Sequence, residues 1–126
     1  MAVFDSAEAR RLLDATFGVA DYAVTVASPK LRLATTAPND TTPGTEVVGG
    51  SYVAQAMAFS AASGRSIQNS GTVSYTNMPA ATVNNVDIYD GANTTRKAYG
   101  ALSASKTTSL GDTLSFAPGS VVVTYA

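Results

Sequence analysis

Two groups of oxygen-bearing side chains offer candidate chemistry in this chain. Asp87 and Asp90 lie on or next to one predicted hairpin, and two carboxylates that flank a sugar can carry out glycoside hydrolysis. Asn39, Asp40 and Glu46 supply the oxygen ligands that calcium prefers. However, acids beside an Asp-Gly pair are ordinary turn formers, and the second group lacks the dense acidic spacing of a calcium loop. We therefore predict no catalytic, cofactor-binding or metal site.

The residue types that are missing support this view. The 126-residue chain contains neither cysteine nor histidine. Thiolate nucleophiles, zinc–thiolate sites and disulfides are therefore excluded, together with the commonest general base in enzymes. The segment from Asn93 to Thr95 matches a glycosylation sequon, but this short pattern is common by chance. We predict that the protein is not an enzyme.

The charge and hydrophobicity of the chain exclude further classes of function. Only 13% of the residues are charged and the net charge is −1, whereas nucleic-acid binding normally needs a basic surface. No apolar run approaches the roughly 20 residues that span a bilayer. The first residues lack the basic and apolar regions of a signal peptide. We predict a protein that binds neither nucleic acid nor membrane and is not secreted.

An N-terminal helix is predicted over residues 5–17. Asp5 can cap its first turn, and Glu8 three residues later completes a capping-box-like pair. Apolar residues that include Leu12 and Leu13 follow at helical spacing, and Gly18 stands where a left-handed residue would end the helix. The stripe favours packing of Leu12 and Leu13 onto the body of the domain. The alternative is that the helix docks onto a neighbouring subunit.

The rest of the chain has the pattern of a β protein. Short alternating segments recur every 8–12 residues with turn residues between them, which is typical of antiparallel sandwiches. They are predicted near residues 22–26, 30–33, 52–59, 66–69, 72–76, 83–89, 96–102, 113–116 and 120–125, with a short edge strand possible within 103–108. We predict one domain over residues 1–126: an antiparallel β-sandwich, jelly-roll or immunoglobulin-like, of about seven to nine short strands with one short N-terminal helix.

The strand predicted from Tyr52 to Phe59 follows a double glycine. Gly49 and Gly50 supply backbone conformations that other residues avoid. Along the segment Val53 and Met57 face one side while Tyr52 and small alanines face the other. The predicted turn and fold determinants of the chain are Gly49, Gly50, Asp90, Gly91, Gly111 and Gly119.

Two features provide candidate contact surfaces. The polar, proline-containing stretch over residues 35–48 is predicted to be a long surface loop, and such loops often make contacts. Five tyrosines are predicted on the exposed side of the sandwich, where tyrosine suits protein–protein contacts. They are Tyr52, Tyr75, Tyr89, Tyr99 and Tyr125. The candidate contact residues are Leu12, Leu13, Asn39, Asp40, Glu46 and Tyr52.

The segment E-V-V-G-G-S-Y-V-A-Q-A-M-A-F at 46–59 resembles the E-V-x-G-G-S-Y-x-R-Q-x-V-x-F segment of a family of small tailed-phage virion proteins. Later segments resemble the same family in the same order, at 61–79, 83–91, 100–107 and 111–124. The sequence departs from the pattern at Ala54, where the family usually has arginine. It also has V-N-N-V-D-I-Y-D-G where the family often has a hairpin with histidine and tryptophan.

The resemblance implies a non-enzymatic component of a phage particle, assembled in the host cytoplasm. Members of the family are labelled head decoration, minor capsid or tail fibre proteins. A single domain without a predicted stalk favours a capsid decoration protein that binds the outside of the head, with the major capsid protein and other copies of itself as partners, as a trimer at local threefold positions. The alternatives are a tail or fibre component and a carbohydrate-binding sandwich, although the absence of tryptophan disfavours the latter.

Overall fold

The computed structural model describes residues 2–22 and 28–125, which form nine strands and one helix within those ranges. The elements are β1 Ala2–Phe4, α1 Ser6–Thr16, β2 Lys30–Ala34, β3 Gln55–Ala56, β4 Ser66–Gln68, β5 Val73–Met78, β6 Ala81–Tyr89, β7 Arg96–Thr108, β8 Asp112–Phe116 and β9 Val122–Thr124. The strand predicted near residues 22–26 falls largely outside the described residues.

Two sheets enclose the core. Seven strands form one sheet in the order β3-β2-β6-β7-β1-β9-β4, and β5 pairs with β8 in the second. Leu31 and Leu33 from the first sheet are fully buried, as are Tyr75 and Met78 from the second. The prediction of a β-sandwich with a short N-terminal helix is therefore confirmed.

β1 was not predicted, because three residues ahead of a helix give no periodic signal. It lies between β7 and β9 and pairs antiparallel with β7 and parallel with β9. This parallel pair is the exception to the antiparallel arrangement that the sequence predicts. β1 thereby joins the central strands to β9 and β4 at the sheet edge.

The helix has the predicted limits but not the predicted packing. The Asp5 side chain accepts a hydrogen bond from the Ala7 N–H at 2.9 Å, and Gly18 has φ +74° after the last turn. Glu8 does not complete a capping box, because the Asp5 N–H donates to the Lys97 carbonyl of β7 at 2.9 Å. Glu8 instead turns inward and is the buried residue of the helix.

The predicted packing of Leu12 and Leu13 onto the domain is wrong for Leu13. Leu13 is 47% exposed and Leu12 is half-buried. The reason is that the inward turn of Glu8 sets which face of the helix meets β7. The apolar stripe therefore lies toward solvent at the C-terminal end of the helix.

The prediction of one long strand over Tyr52–Phe59 is also wrong. Only β3 and an isolated bridge at Phe59 are formed there. The Tyr52 hydroxyl accepts the Leu33 N–H at 3.0 Å and so occupies a hydrogen-bonding position at the edge of β2 that a longer strand would need. Val53 consequently points to solvent with 61% exposure, while Met57 is buried.

β7 is one strand where the sequence predicts two pieces. Its register with β6 passes from Ala101 opposite Asn85 to Lys106 opposite Val83. Four residues, Leu102–Ser105, therefore lie opposite the single residue Asn84 and form a large bulge. The bulge explains why the alternation in the sequence breaks at this point.

Candidate contact surface

Arg96 ties the N-terminus, the long loop and the β6–β7 hairpin together. Its guanidinium donates to Asp5 Oδ2 at 2.8 and 2.9 Å and forms an ion pair with Asp87 Oδ1 at 3.3 Å. It also donates to the backbone carbonyls of Asn39 at 2.6 Å and Thr42 at 3.1 Å. The side chain is only 6% exposed, so these bonds replace its hydration.

The loop over residues 35–48 is held in place by its own polar residues. The Asn39 side-chain oxygen accepts the N–H groups of Thr41 at 2.9 Å and Thr42 at 2.8 Å. Asp40 accepts the Ser6 N–H at 3.0 Å as well as the Ser6 hydroxyl. These hydrogen bonds hold the pKa of the Asp40 carboxyl below its usual value. Asn39 and Asp40 therefore connect the loop to the first turn of α1.

The two acids considered for catalysis have structural partners instead. Asp87 accepts the Gly44 N–H at 3.0 Å in addition to its contact with Arg96, and burial raises the pKa of its carboxyl. Asp90 accepts the N–H groups of Thr94 at 2.8 Å and Thr95 at 3.2 Å. The bond from Thr94 is the main cause of the lowered Asp90 pKa. Each carboxylate thus organises the chain around it.

The predicted contact residues Glu46 and Tyr52 are brought together, but they face the domain. The Tyr52 hydroxyl donates to Glu46 Oε2 at 2.8 Å, and its ring stacks on Tyr75 at 5.7 Å between centroids. Burial raises the pKa of the Tyr52 hydroxyl. Glu46 also lies 3.9 Å from Arg32. The Glu46–Tyr52 pair therefore holds the end of the loop over residues 35–48 against the domain.

The prediction that the tyrosines line an exposed surface is wrong for Tyr75 and Tyr89. Both are buried, because the Tyr75 hydroxyl donates to the Leu31 carbonyl at 2.6 Å and the Tyr89 ring lies under the Arg32 guanidinium at 3.6 Å. Tyr125 contacts the Phe4 ring edge-on at 5.5 Å. These rings therefore mainly pack within the domain.

A buried carboxylate that the sequence did not reveal anchors the helix. Glu8 accepts Lys97 Nζ at 2.9 Å, lies 3.5 Å from Arg11, and accepts the Tyr22 hydroxyl. The position of Glu8 three residues after Asp5 suggested a capping role. Its role as a buried ion-pair partner depends on Lys97, which is distant in the sequence, so the local pattern could not indicate it. The cluster fixes α1 against the start of β7.

Exposed apolar side chains lie at the far end of the anchored helix. Leu13, Phe17 and Val19 are 47%, 76% and 74% exposed. We refer to these three residues, at the end of α1 and in the loop that follows it, as the helix–loop surface. Single exposed apolar residues are common, but three within seven positions at the end of α1 make this a candidate contact surface.

The predicted turn residues lie in tight turns. Gly49 and Gly50 have φ +110° and +55° and face Pro79 and Asn77, and Gly111 and Gly119 also have positive φ. In the loop after Asp90 the positive φ belongs to Asn93 rather than to Gly91. The left-handed Asn93 presents its side-chain oxygen to Arg32 Nε at 2.8 Å.

No candidate cofactor site emerges from the described part of the chain. Among residues 2–22 and 28–125 no three acidic side chains are grouped so that they could hold a metal ion, and Asn39, Asp40 and Glu46 are separately engaged as described above. In the same ranges no helix has the length and apolar character needed to cross a bilayer.

Comparison with known proteins identifies a family for nearly the whole chain. The sequence model of the family described as "Podophage GP4 fiber I protein gp80" matches residues 4–124. No curated protein matches the sequence. The match starts at the last residue of β1 and covers α1, the long loop and the remaining strands of both sheets, and it therefore includes the helix–loop surface.

Proposed function

Because this chain belongs to the podophage GP4 fiber I protein gp80 family, and is thus a structural protein of a phage virion, we propose that it is a component of the tail fibre. The observation that carries the proposal is the extent of the match, from residue 4 to residue 124, under a family description that names a fibre protein. The earlier expectation of a phage virion protein is confirmed at this level.

In the proposed role the domain has no catalytic activity. The contacts of two carboxylates support this. Asp87 forms an ion pair with Arg96, and Asp90 accepts hydrogen bonds from backbone N–H groups. A carboxylate that is engaged in this way is poorly placed to protonate or attack a sugar. The protein instead acts as a building block whose surfaces bind other virion proteins.

The proposed contact is the helix–loop surface. Phe17 and Val19 are about three-quarters exposed directly after a helix that is held by the buried Glu8 and Arg96 clusters, and the Val19 N–H donates to the Asp14 carbonyl of that helix at 2.8 Å. A rigid element that presents apolar side chains loses little conformational entropy on binding. The neighbouring subunit that covers it is another copy of this chain or an adjacent tail protein.

A second candidate is a capsid decoration protein that binds the major capsid protein on the outside of the head. It is favoured by the compact two-sheet domain, because the described residues contain no long helix or repeat that would form a fibre stalk. Trimerisation and assembly in the host cytoplasm remain predictions in either case. Contacts made only to the assembled particle would stabilise that state by mass action.

Cryo-electron microscopy of the particle tests the proposal. Density for this domain on the tail fibres supports the fibre role, and density on the shell at local threefold positions overturns it in favour of decoration. Gold-labelled antibody against a tag on the C-terminus provides an independent location. The matched control is the same tag on the major capsid protein, which must label the head alone.

A further inference from the structure

Four exposed residues form one connected patch along the outer side of α1. They lie three or four positions apart, which places them on the same face of a helix, and they are Arg10, Leu13, Asp14 and Phe17. The Phe17 N–H donates to the Leu13 carbonyl at 3.0 Å, so Phe17 keeps the helical spacing at the end of α1. Glu8, which contacts β7, lies on the other side of the helix. We call the four residues the outer patch.

The two charges of the outer patch are placed unfavourably for the helix that carries them. Asp14 is in the last turn of α1, where the helix dipole is negative, and the described helix has no basic residue in that turn. Arg10 precedes Asp14 by four positions, which is the less favourable order for an ion pair along a helix. Within residues 2–22 and 28–125 neither side chain forms an ion pair. A neighbour with the opposite arrangement of charges would compensate both.

A second copy of α1 that runs antiparallel to the first has this arrangement. Arg10 and Asp14 lie two positions on either side of residue 12, so a two-fold axis at this level sets each Arg10 beside Asp14 of the other copy. The two Leu13 side chains then meet about 3 Å apart along the helices, because the rise is about 1.5 Å per residue. Each Asp14 also lies nearer the positive end of the other helix dipole. The outer patch is therefore self-complementary, as a two-fold contact requires.

We propose that the outer patch pairs with the same patch of a second copy of this chain, with the two α1 helices antiparallel about a two-fold axis. Leu13 and Phe17 form the apolar contact, and each Arg10 pairs with Asp14 of the other copy. A contact between two short helices is smaller than the roughly 1,200 Å² of a stable interface. It therefore forms in concentrated protein or between copies that a particle holds close together. Its use in the virion rests on the proposed function, whereas the ability of two free copies to pair does not.

The pairing of free copies is tested with single cysteines, because the chain contains none. Leu13→Cys places a thiol next to the two-fold axis, where packed helices bring their Cα atoms within disulfide range. Leu110→Cys, at an exposed leucine of the β7–β8 turn, is the matched control. In concentrated protein the linked dimer should form at least ~10-fold faster for Leu13→Cys than for Leu110→Cys, after correction for the reaction of each thiol with a small disulfide. Equal corrected rates would overturn the proposal.

The antiparallel geometry is tested by reversing one charge at a time in the Leu13→Cys chain. Arg10→Asp and Asp14→Arg each give the outer patch two like charges, so each variant should link to itself about 3–10-fold more slowly than the Leu13→Cys chain. A mixture of the two variants restores both opposite-charge pairs and should link unlike chains preferentially. Each chain keeps its own altered helix in the mixture, so a change in helix stability does not produce this preference. Random linkage in the mixture would contradict the antiparallel pair.

Oxidation of assembled particles tests whether the virion uses the pair. Particles that carry Leu13→Cys should yield linked dimers of this chain, and particles that carry Leu110→Cys should not. A link from Leu13→Cys to a different tail protein, or no link in particles that contain the chain, would overturn the second copy as the occupant in the virion. Absence of the chain from the tail fibres would instead defeat the proposed function, and the results with free copies would still stand.

Discussion

At the scale of single residues, Arg96 concentrates the few charges of the chain where three segments meet. Two carboxylates, Asp5 and Asp87, are 13% and 2% exposed beside it. Removing one partner of a buried ion pair leaves the other charge without compensation, which costs more than the pair contributes to stability. The residue therefore has an effect on folding that its position at the end of a loop does not suggest.

Arg96→Met should lower the free energy of unfolding by about 3–5 kcal/mol, because Asp5 and Asp87 lose their common partner. Arg96→Lys should lie between Arg96→Met and the wild type, since lysine keeps the charge but not the planar fork. Urea denaturation monitored by circular dichroism gives these values. In the double variant Arg96→Met/Asp87→Asn part of the loss should be recovered. A loss below about 1 kcal/mol for Arg96→Met would contradict the assignment.

The acid sensitivity of the protein should depend on Asp90. The hydrogen bond from the Thr94 N–H depresses its folded-state pKa below the ordinary value of 3.8. Its contribution to stability is therefore fully present above that value and is lost as the pH falls through the folded pKa. The raised pKa of Asp87 acts in the opposite direction, because burial disfavours its charged form.

Asp90→Asn should keep the acceptor for Thr94 and Thr95 but remove this titration. We expect the loss of stability between about pH 5 and pH 2 to be smaller than in the wild type. Chemical denaturation at a series of pH values measures it. Asp14→Asn removes one carboxylate from an exposed helix position and serves as the control. The assignment fails if both variants lose stability with pH as steeply as the wild type.

At the scale of elements, the Gly49–Gly50 turn meets the β5–β6 connection. A Cβ at Gly50 would lie 2.5 Å from the Asn77 carbonyl oxygen, and its φ is +55°. Gly64 has a similar φ of +61°, but a Cβ there would meet nothing within 4 Å. Comparing the same substitution at Gly50 and at Gly64 therefore separates the effect of a close backbone contact from that of the left-handed conformation.

Gly50→Ala should destabilise the protein by about 3 kcal/mol or more, because backbone strain and the clash with Asn77 add together. Gly64→Ala should cost only about 1 kcal/mol, since the left-handed conformation alone is strained. Thermal unfolding of the two variants side by side measures the difference. Similar losses of stability in the two variants would mean that the Gly49–Gly50 turn can move away from Asn77 without a cost in free energy.

Much of this architecture could be predicted from the sequence, since period and turn chemistry are local properties. The core faces of β2 and β6 and the limits of α1 follow from the spacing of residues such as Leu31 and Leu33. The contact of the Tyr52 hydroxyl with Leu33 could not be predicted, and it truncated the predicted strand. The inward turn of Glu8 likewise depends on Lys97, which lies on a distant strand. In both places a tertiary partner outweighed the local pattern.

The site was predicted less well than the fold for the same reason. Asn39 and Asp40 do lie next to α1, but they contact its first turn through Arg96 and Ser6, whereas the exposed apolar side chains are at the other end of the helix. Glu46 and Tyr52 are engaged with each other. Exposure of the apolar end of α1 depends on which helix face docks on β7, and the sequence of the helix alone does not determine that.

At the scale of the whole molecule, the helix–loop surface should serve assembly and not folding. Phe17 and Val19 are 76% and 74% exposed, so Phe17→Ser/Val19→Ser should change the free energy of unfolding by no more than about 0.5 kcal/mol. Incorporation into particles should nevertheless fall at least ~10-fold, because loss of ~1.4 kcal/mol at a contact gives that factor. Quantitative immunoblotting of purified particles measures it.

The matched control for this experiment is Leu110→Ser. Leu110 is 77% exposed in the turn between β7 and β8, where the Gly111 N–H donates to the Met78 carbonyl at 2.8 Å, and β7 separates this turn from the Arg96 end that anchors α1. Loss of incorporation in both variants would point to a general effect of surface polarity. Normal incorporation of Phe17→Ser/Val19→Ser would remove the helix–loop surface from the assembly contact. A selective loss in that variant alone, with unfolding unchanged, is the result that the proposed contact predicts.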